Sequence, residues 1–214
     1  MADRIFVVIA GNIGTGKTTL TNMLAERFQW KAHYEAVKDN PYLDDFYADM
    51  ARWSFPLQVF FLTNRFQTHN EINQGNASAI QDRSIYEDAN IFARNLFEAG
   101  KMDQRDYESY LELYEKLTRY LNPPDLVIYL RKSVPKLRDY IKKRGRSFEQ
   151  GIEASYLERL NHYYEEWIRG YKGGKVLVVD SNELDFVANP AHFDGISRLV
   201  REALDQKELF PPTA

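Results

Sequence analysis

The 214-residue chain contains no cysteine. Disulfides and cysteine-held zinc are therefore excluded, and the composition suits a reducing, cytoplasmic setting. The chain also lacks an excess of either charge. Its 28 Lys and Arg stand against 31 Asp and Glu, a formal net charge of −3. A protein that coats polymeric nucleic acid carries a basic surplus, so that partner is not expected. No apolar run is long enough to span a bilayer. The N-terminal run Ile5 to Ala10 follows Met1-Ala2-Asp3-Arg4 without a signal-cleavage region and reads as a buried strand, so no membrane partner is expected either. Internal repeats, low-complexity stretches and linker-like segments are missing. Residues 1–214 are expected to form a single domain with a full core.

What is present is rich in aromatic residues, 14 Tyr and 13 Phe, and is 44% hydrophobic. Short apolar runs alternate with long helical patterns, the signature of βαβ units and a parallel sheet. Strands are expected at Ile5 to Ala10, Ala32 to Glu35, Ala77 to Asp82, Leu126 to Leu130 and Val176 to Asp180. Helices are expected from Asn40-Pro41, from Ser54 through Asn73, from Ser84 with Glu87 as a capping box, and from Ser133. A further helical pattern runs from Tyr107 to Leu121 and is stopped by Pro123-Pro124. Ligands of open parallel sheets bind beyond the carboxyl ends of the strands, which is where chemistry is sought.

The first strand runs into Gly11-Asn12-Ile13-Gly14-Thr15-Gly16-Lys17-Thr18-Thr19. This Gly-x-x-x-x-Gly-Lys-Thr pattern, opening a helix after a strand, is built to cradle the phosphates of a nucleoside triphosphate. Its glycines let the backbone wrap the anion, and N–H groups and the helix N-terminus point at it. Lys17 can reach the terminal phosphates, and the Thr18 hydroxyl suits Mg²⁺. A GTPase would add a guanine-reading Asn-Lys-x-Asp, for which Asn182-Glu183-Leu184-Asp185 has the wrong charge. A motor-type ATPase would end a strand in paired acids, where this chain has Asp82-Arg83-Ser84. A small-molecule kinase fits better.

For a kinase, Glu35 at a strand end can accept the proton of an attacking hydroxyl, or be an ordinary loop acid. Asp82 can hold Mg²⁺, and Arg83 can neutralise charge near the transferred phosphoryl group. Lys142-Lys143-Arg144-Gly145-Arg146 is either a helix C-terminus complementing its dipole or a phosphate-clamping lid with a glycine hinge.

With these motifs in place the chain resembles the deoxynucleoside kinase family, particularly bacterial deoxyadenosine/deoxyguanosine kinases. The resemblance rests on the phosphate loop, Asn40-Pro41-Tyr42-Leu43 after Glu35, and Arg52-Trp53-Ser54-Phe55-Pro56-Leu57-Gln58. It extends to Asp82-Arg83-Ser84 with Asp88, and Arg144-Gly145-Arg146 with Glu149. It implies an α/β, P-loop NTPase-like three-layer sandwich, with a five-stranded parallel sheet flanked by helices and a helical lid near residues 143–152. It implies a homodimer, and ATP with Mg²⁺ as the donor. It implies Glu35, Arg83, Arg144 and Arg146 as catalytic residues, and Tyr47 and Glu149 at the sugar 3′-hydroxyl. Trp53 and Gln58 would lie on the substrate side, Gln58 on the base, Phe92 stacked on it, and Arg65 with Asp88 reading the base edge. Gln58 and Arg65, seven apart, share a helix face and can converge on one ligand.

The expected activity is transfer of the ATP γ-phosphoryl to the 5′-hydroxyl of a purine deoxynucleoside in nucleotide salvage. A deoxycytidine-preferring kinase, a nucleoside monophosphate kinase and a non-catalytic nucleotide switch are the alternatives. Three features depart from the family pattern: Ala36 stands where many members have proline, Asp82 replaces a common glutamate, and Tyr140 stands where many relatives carry arginine, with Lys142, Lys143 or Arg138 to compensate.

Overall fold

A computed structural model describes residues 4–34, 40–146 and 149–205. Five parallel strands, β1 (Phe6–Gly11), β2 (Lys31–His33), β3 (Ala79–Asp82), β4 (Leu126–Arg131) and β5 (Lys175–Asp180), form a sheet of order β2-β3-β1-β4-β5. The chain winds to one side of β1 for β2 and β3, then to the other for β4 and β5. The carboxyl end of β1 is thus a topological switch point, where open α/β sheets take ligands.

Side chains on a strand alternate between faces, and both faces of this sheet are covered. Val7, Ile9, Ile80, Leu126, Ile128 and Leu130 pack under helices α1 (Lys17–Phe28) and α9 (Pro190–Asp205). On the other face Phe6 and Val8 meet Ile72 of α3 (Met50–Gln74). There too Ala10, Val127 and Tyr129 meet Leu160 and Tyr164 of α8 (Ala154–Gly170). The result is the expected helix–sheet–helix sandwich.

Three local expectations are corrected. The long helix starts at Met50, not after Ser54. Asp49 caps it by accepting from the Arg52 N–H at 3.2 Å, and the Ser54 hydroxyl donates instead to the Lys101 carbonyl at 2.7 Å. Pro56 therefore lies inside the helix rather than in its first turn. Asn40 caps nothing; its Oδ1 accepts from the Tyr42 N–H at 2.9 Å, and α2 (Leu43–Ala48) begins afterwards. The second strand ends at His33, and Glu35 lies outside the described residues.

The Ser84–Glu87 capping box forms as expected and opens α4 (Ile85–Glu87). Beyond it the chain does not continue as α-helix. Residues Asp88–Ala93 make a π-helical turn before α5 (Arg94–Glu98) resumes. Such turns carry one extra residue and concentrate at functional sites. The remaining helices are α6 (Gln104–Thr118) and α7 (Val134–Arg144), the latter closed by Gly145 in the left-handed region at φ 74°.

Candidate active site

The loop between β1 and α1 is shaped by its glycines. Gly16 sits at φ 94° as the N-cap of α1, and Gly14 at φ 84°. A Cβ on Gly14 would stand 2.9 Å from the Leu137 carbonyl oxygen and from Ile141 Cγ1 of α7, so side chains other than glycine's do not fit. Asn12 faces away from the cavity. Its Nδ2 donates to the Leu157 carbonyl at 2.9 Å and to Asn161 Oδ1 at 2.8 Å, tying the loop to α8. Lys17 Nζ donates to the Asn12 carbonyl at 2.9 Å, which lays the side chain back along the loop.

In front of the loop opens a cavity of about 810 Å³. Sites for small molecules span roughly 300–1,000 Å³, so this one has room for a large ligand or two adjoining ones. Its loop wall is Ile13, Gly14, Gly16, Lys17, Thr18 and Thr19. Gly11, Asn12 and Thr15 do not line the cavity, and the Thr15 hydroxyl donates to the Asn12 carbonyl at 3.0 Å. The Thr18 hydroxyl donates to Asp82 Oδ2, and the strand register sets Asp82 beside Ile9 at the end of β1.

The opposite wall comes from α2, α3 and the π turn. Tyr47, Gln58, Arg65, Asp88 and Phe92 all line the cavity. Gln58 and Arg65 do share one face of α3, as their spacing predicts. Arg65 Nη1 donates to Asp88 Oδ1 in a buried ion pair, the two side chains 6% and 1% exposed. Gln58 is 3% exposed, and its Oε1 is buried without a hydrogen-bond partner among the described residues. Arg83 lines the cavity with its guanidinium 4.4 Å over the Phe92 ring. Its backbone lies in the left-handed region at φ 68°, a strained conformation for a non-glycine residue.

Arg144 and Arg146 reach the cavity from the end of α7, and both donate to Glu149, Arg146 at 3.3 Å. Tyr140 lines the cavity as well, its ring 4.0 Å from the ammonium of Lys132. Burial, reinforced by Lys136, pushes the Lys132 pKa down. Of the basic residues near Tyr140 considered as compensation, Lys143 reaches the cavity wall.

Trp53 is a correction. One turn before Leu57 on α3, it is drawn into the Phe46/Leu57 cluster, its ring 5.8 Å from Tyr42 and 4.7 Å from the Arg52 guanidinium, and it does not line the cavity. Conversely, Tyr34, Phe46, Phe61 and Tyr156 line it with no motif to mark them, and Leu43 and Leu57 line it from motifs that gave them no role. Leu57 and Phe61 flank Gln58 at helical spacing, a signal that was legible. Burial raises the Tyr156 pKa to about 12, so its hydroxyl stays protonated.

A loop wall for phosphates facing a buried donor–acceptor wall matches the comparisons with known proteins. The deoxynucleoside kinase family model matches residues 7–205. The chain belongs to the deoxynucleoside kinase family. The kinase is 38% identical over 192 residues to a deoxyadenosine/deoxycytidine kinase of Bacillus subtilis, covering 89% of this chain and 88% of that protein. It is 37% identical over 203 residues to a deoxyguanosine kinase of the same organism, covering 93% and 97%. A deoxyadenosine kinase of M. mycoides, solved with the products dCMP and a flexible dCDP, superimposes with a TM-score of 0.83 at 31% identity. That match covers 92% of this chain and all of that one. Within the described residues, no helix is long and apolar enough to cross a membrane.

Proposed function

We propose that this kinase transfers the γ-phosphoryl of ATP to the 5′-hydroxyl of a purine deoxynucleoside, deoxyadenosine or deoxyguanosine, in nucleotide salvage. The observation that carries the base assignment is the buried Arg65–Asp88 pair beside the Gln58 amide, in the same cavity as the phosphate loop. A glutamine amide donates and accepts together, and the pair adds a fixed donor and acceptor, which suits a purine edge. Phe92 stacks on the base, and Tyr47 and Glu149 take the sugar 3′-hydroxyl.

The loop of residues 11–19 binds the triphosphate through its cavity-facing members Ile13, Gly14 and Gly16 to Thr19, with Lys17 at the terminal phosphates and Gly11, Asn12 and Thr15 shaping the loop. Thr18 and Asp82 fit Mg²⁺. They present one hydroxyl and one carboxylate, and among the described residues no cluster of three or more His, Cys, Asp or Glu could hold a metal alone. Mg²⁺ usually takes one or two protein ligands and completes its shell with phosphates and water. When bound, it would neutralise charge on the donor phosphates.

In the transfer, the bond from γ-phosphorus to the bridging oxygen breaks and a bond to the nucleoside 5′-oxygen forms. Glu35 takes the 5′-hydroxyl proton. Arg83, Arg144 and Arg146 offset charge on the phosphoryl group and exclude water, the last two from a lid spanning 143–152. We take residues 1–214 to be one domain that works as a cytoplasmic homodimer.

Deoxycytidine is the second reading. One relative is named for it, and dCMP is a product in the solved neighbour. Incubation with ATP and Mg²⁺ across a panel of deoxynucleosides and deoxynucleoside monophosphates tests both. Faster turnover of purine nucleosides supports the first reading, faster turnover of deoxycytidine supports the second, and phosphorylation of monophosphates alone overturns both.

A further inference from the structure

Glu87 is more than the capping-box partner of Ser84. Its two carboxylate oxygens do separate work. Oε2 accepts from the Ser84 N–H at 2.7 Å and the Ser84 hydroxyl at 3.2 Å, which completes the box. Oε1 is turned the other way, to the Gly11 N–H at 3.3 Å and the Tyr164 hydroxyl at 2.7 Å. Capping a helix of three residues asks for none of the second set.

Tyr164, from α8, is fully buried, and its hydroxyl is the centre of the cluster. It accepts from Arg83 Nη1 at 2.9 Å and lies 2.8 Å from the Gly11 carbonyl oxygen. Arg83 Nη1 is also 3.8 Å from Glu87 Oε1. One hydroxyl and one carboxylate thus gather around Gly11, where the phosphate loop begins, and one arm of the guanidinium stacked on Phe92; the single Tyr164 proton is shared between Glu87 Oε1 and the Gly11 carbonyl. A buried carboxylate is costly, and an apolar group of similar volume would serve packing better. The left-handed backbone at Arg83 adds strain of its own. Packing alone explains neither.

We propose that Glu87 and Tyr164 are positioning residues for phosphoryl transfer: they fix Arg83 in register with the phosphate loop, so that the nucleoside on Phe92 and the donor on the loop meet in one alignment. This rests on the kinase reading of the cavity. Neither residue touches substrate; both act through Arg83 and Gly11.

A double-mutant cycle tests it. Tyr164→Phe keeps the ring and removes the hydroxyl. It should lower kcat by about 10–100-fold while KM for ATP and for nucleoside moves by less than about 3-fold, as expected when alignment rather than binding is lost. In an Arg83→Lys background the same substitution should change kcat by less than about 2-fold, because its target is already gone. A purely structural tyrosine would instead lower Tm and reduce kcat equally in both backgrounds, and that additivity, or an unchanged kcat in the single variant, overturns the proposal. If Tyr164→Phe does not fold, Glu87→Gln carries the same cycle with the same criteria. Wild-type protein that phosphorylates no deoxynucleoside overturns the kinase reading; active wild-type protein with an additive cycle overturns the positioning role alone.

Discussion

The two walls of the cavity are built in opposite ways. The loop wall is one contiguous stretch, Ile13 to Thr19, whose shape comes from backbone turns at Gly14 and Gly16. The facing wall is assembled from side chains of α2, α3 and the π turn, residues far apart in sequence and joined by the Arg65–Asp88 pair. A site made of backbone demands a few fixed residues and accepts any phosphate tail. A site made of side chains can be retuned one substitution at a time. The loop wall should therefore govern whether the kinase works, and the facing wall what it works on.

The largest break is expected at the loop wall. Lys17→Met should cut turnover by at least about 10³-fold with nucleoside affinity retained, read by steady-state kinetics and calorimetry. Glu35→Gln should come next, lowering kcat by about 10²–10⁴-fold with little change in nucleoside binding; near-normal turnover would remove Glu35 from its role. On the facing wall, Asp88→Asn leaves Arg65 buried without its counter-charge. Unfolding by urea should show a loss of about 3–5 kcal/mol, and the surviving activity should shift among bases more than it falls on all of them. Gly14→Ala places a Cβ against α7 at a positive φ and should cost about 1–3 kcal/mol, with ATP affinity weakened and base preference untouched.

The smallest effect concerns His69, on α3 away from the cavity. Its Nε2 bonds the Asn122 carbonyl at 2.8 Å, and burial holds its pKa below the ordinary value. The unfolded chain therefore binds more protons than the folded one as pH falls below about 6.5. Stability contributed by neutral His69 is present above that pH and is lost as pH falls toward the folded-state pKa. Half-buried His33 is shifted the same way. His69→Gln should flatten, without abolishing, the fall in urea midpoint between about pH 7.5 and about pH 5.5. Base preference should not change.

Legibility divided along the same line. The loop, the sheet strands and the Ser84 capping box were readable because each is local: spacing and residue type dictate them within a few positions. The start of α3 was misread because Ser54 and Pro56 imitate a helix entry that Asp49 supplies. Trp53 came with the Arg52-to-Gln58 motif of the resemblance, although its ring packs toward Tyr42. Phe46 and Tyr156 carried no such signal, since nothing in composition separates a cavity wall from a core. The Glu87–Tyr164 contact joins residues 77 apart and exists only once α8 has docked.

The π turn at Asp88–Ala93 carries Asp88 and Phe92, so its extra residue sets where both meet the cavity. Removing its extra residue would rewind the segment to α-helix and change where Asp88 and Phe92 sit relative to each other, while the helix beyond keeps its place. Phe92 would swing out of line with Arg83 while Lys17 and Thr18 stayed where they are. A one-residue deletion in this stretch should therefore disturb the base-facing wall while leaving the phosphate loop intact, a change of length rather than of residue type.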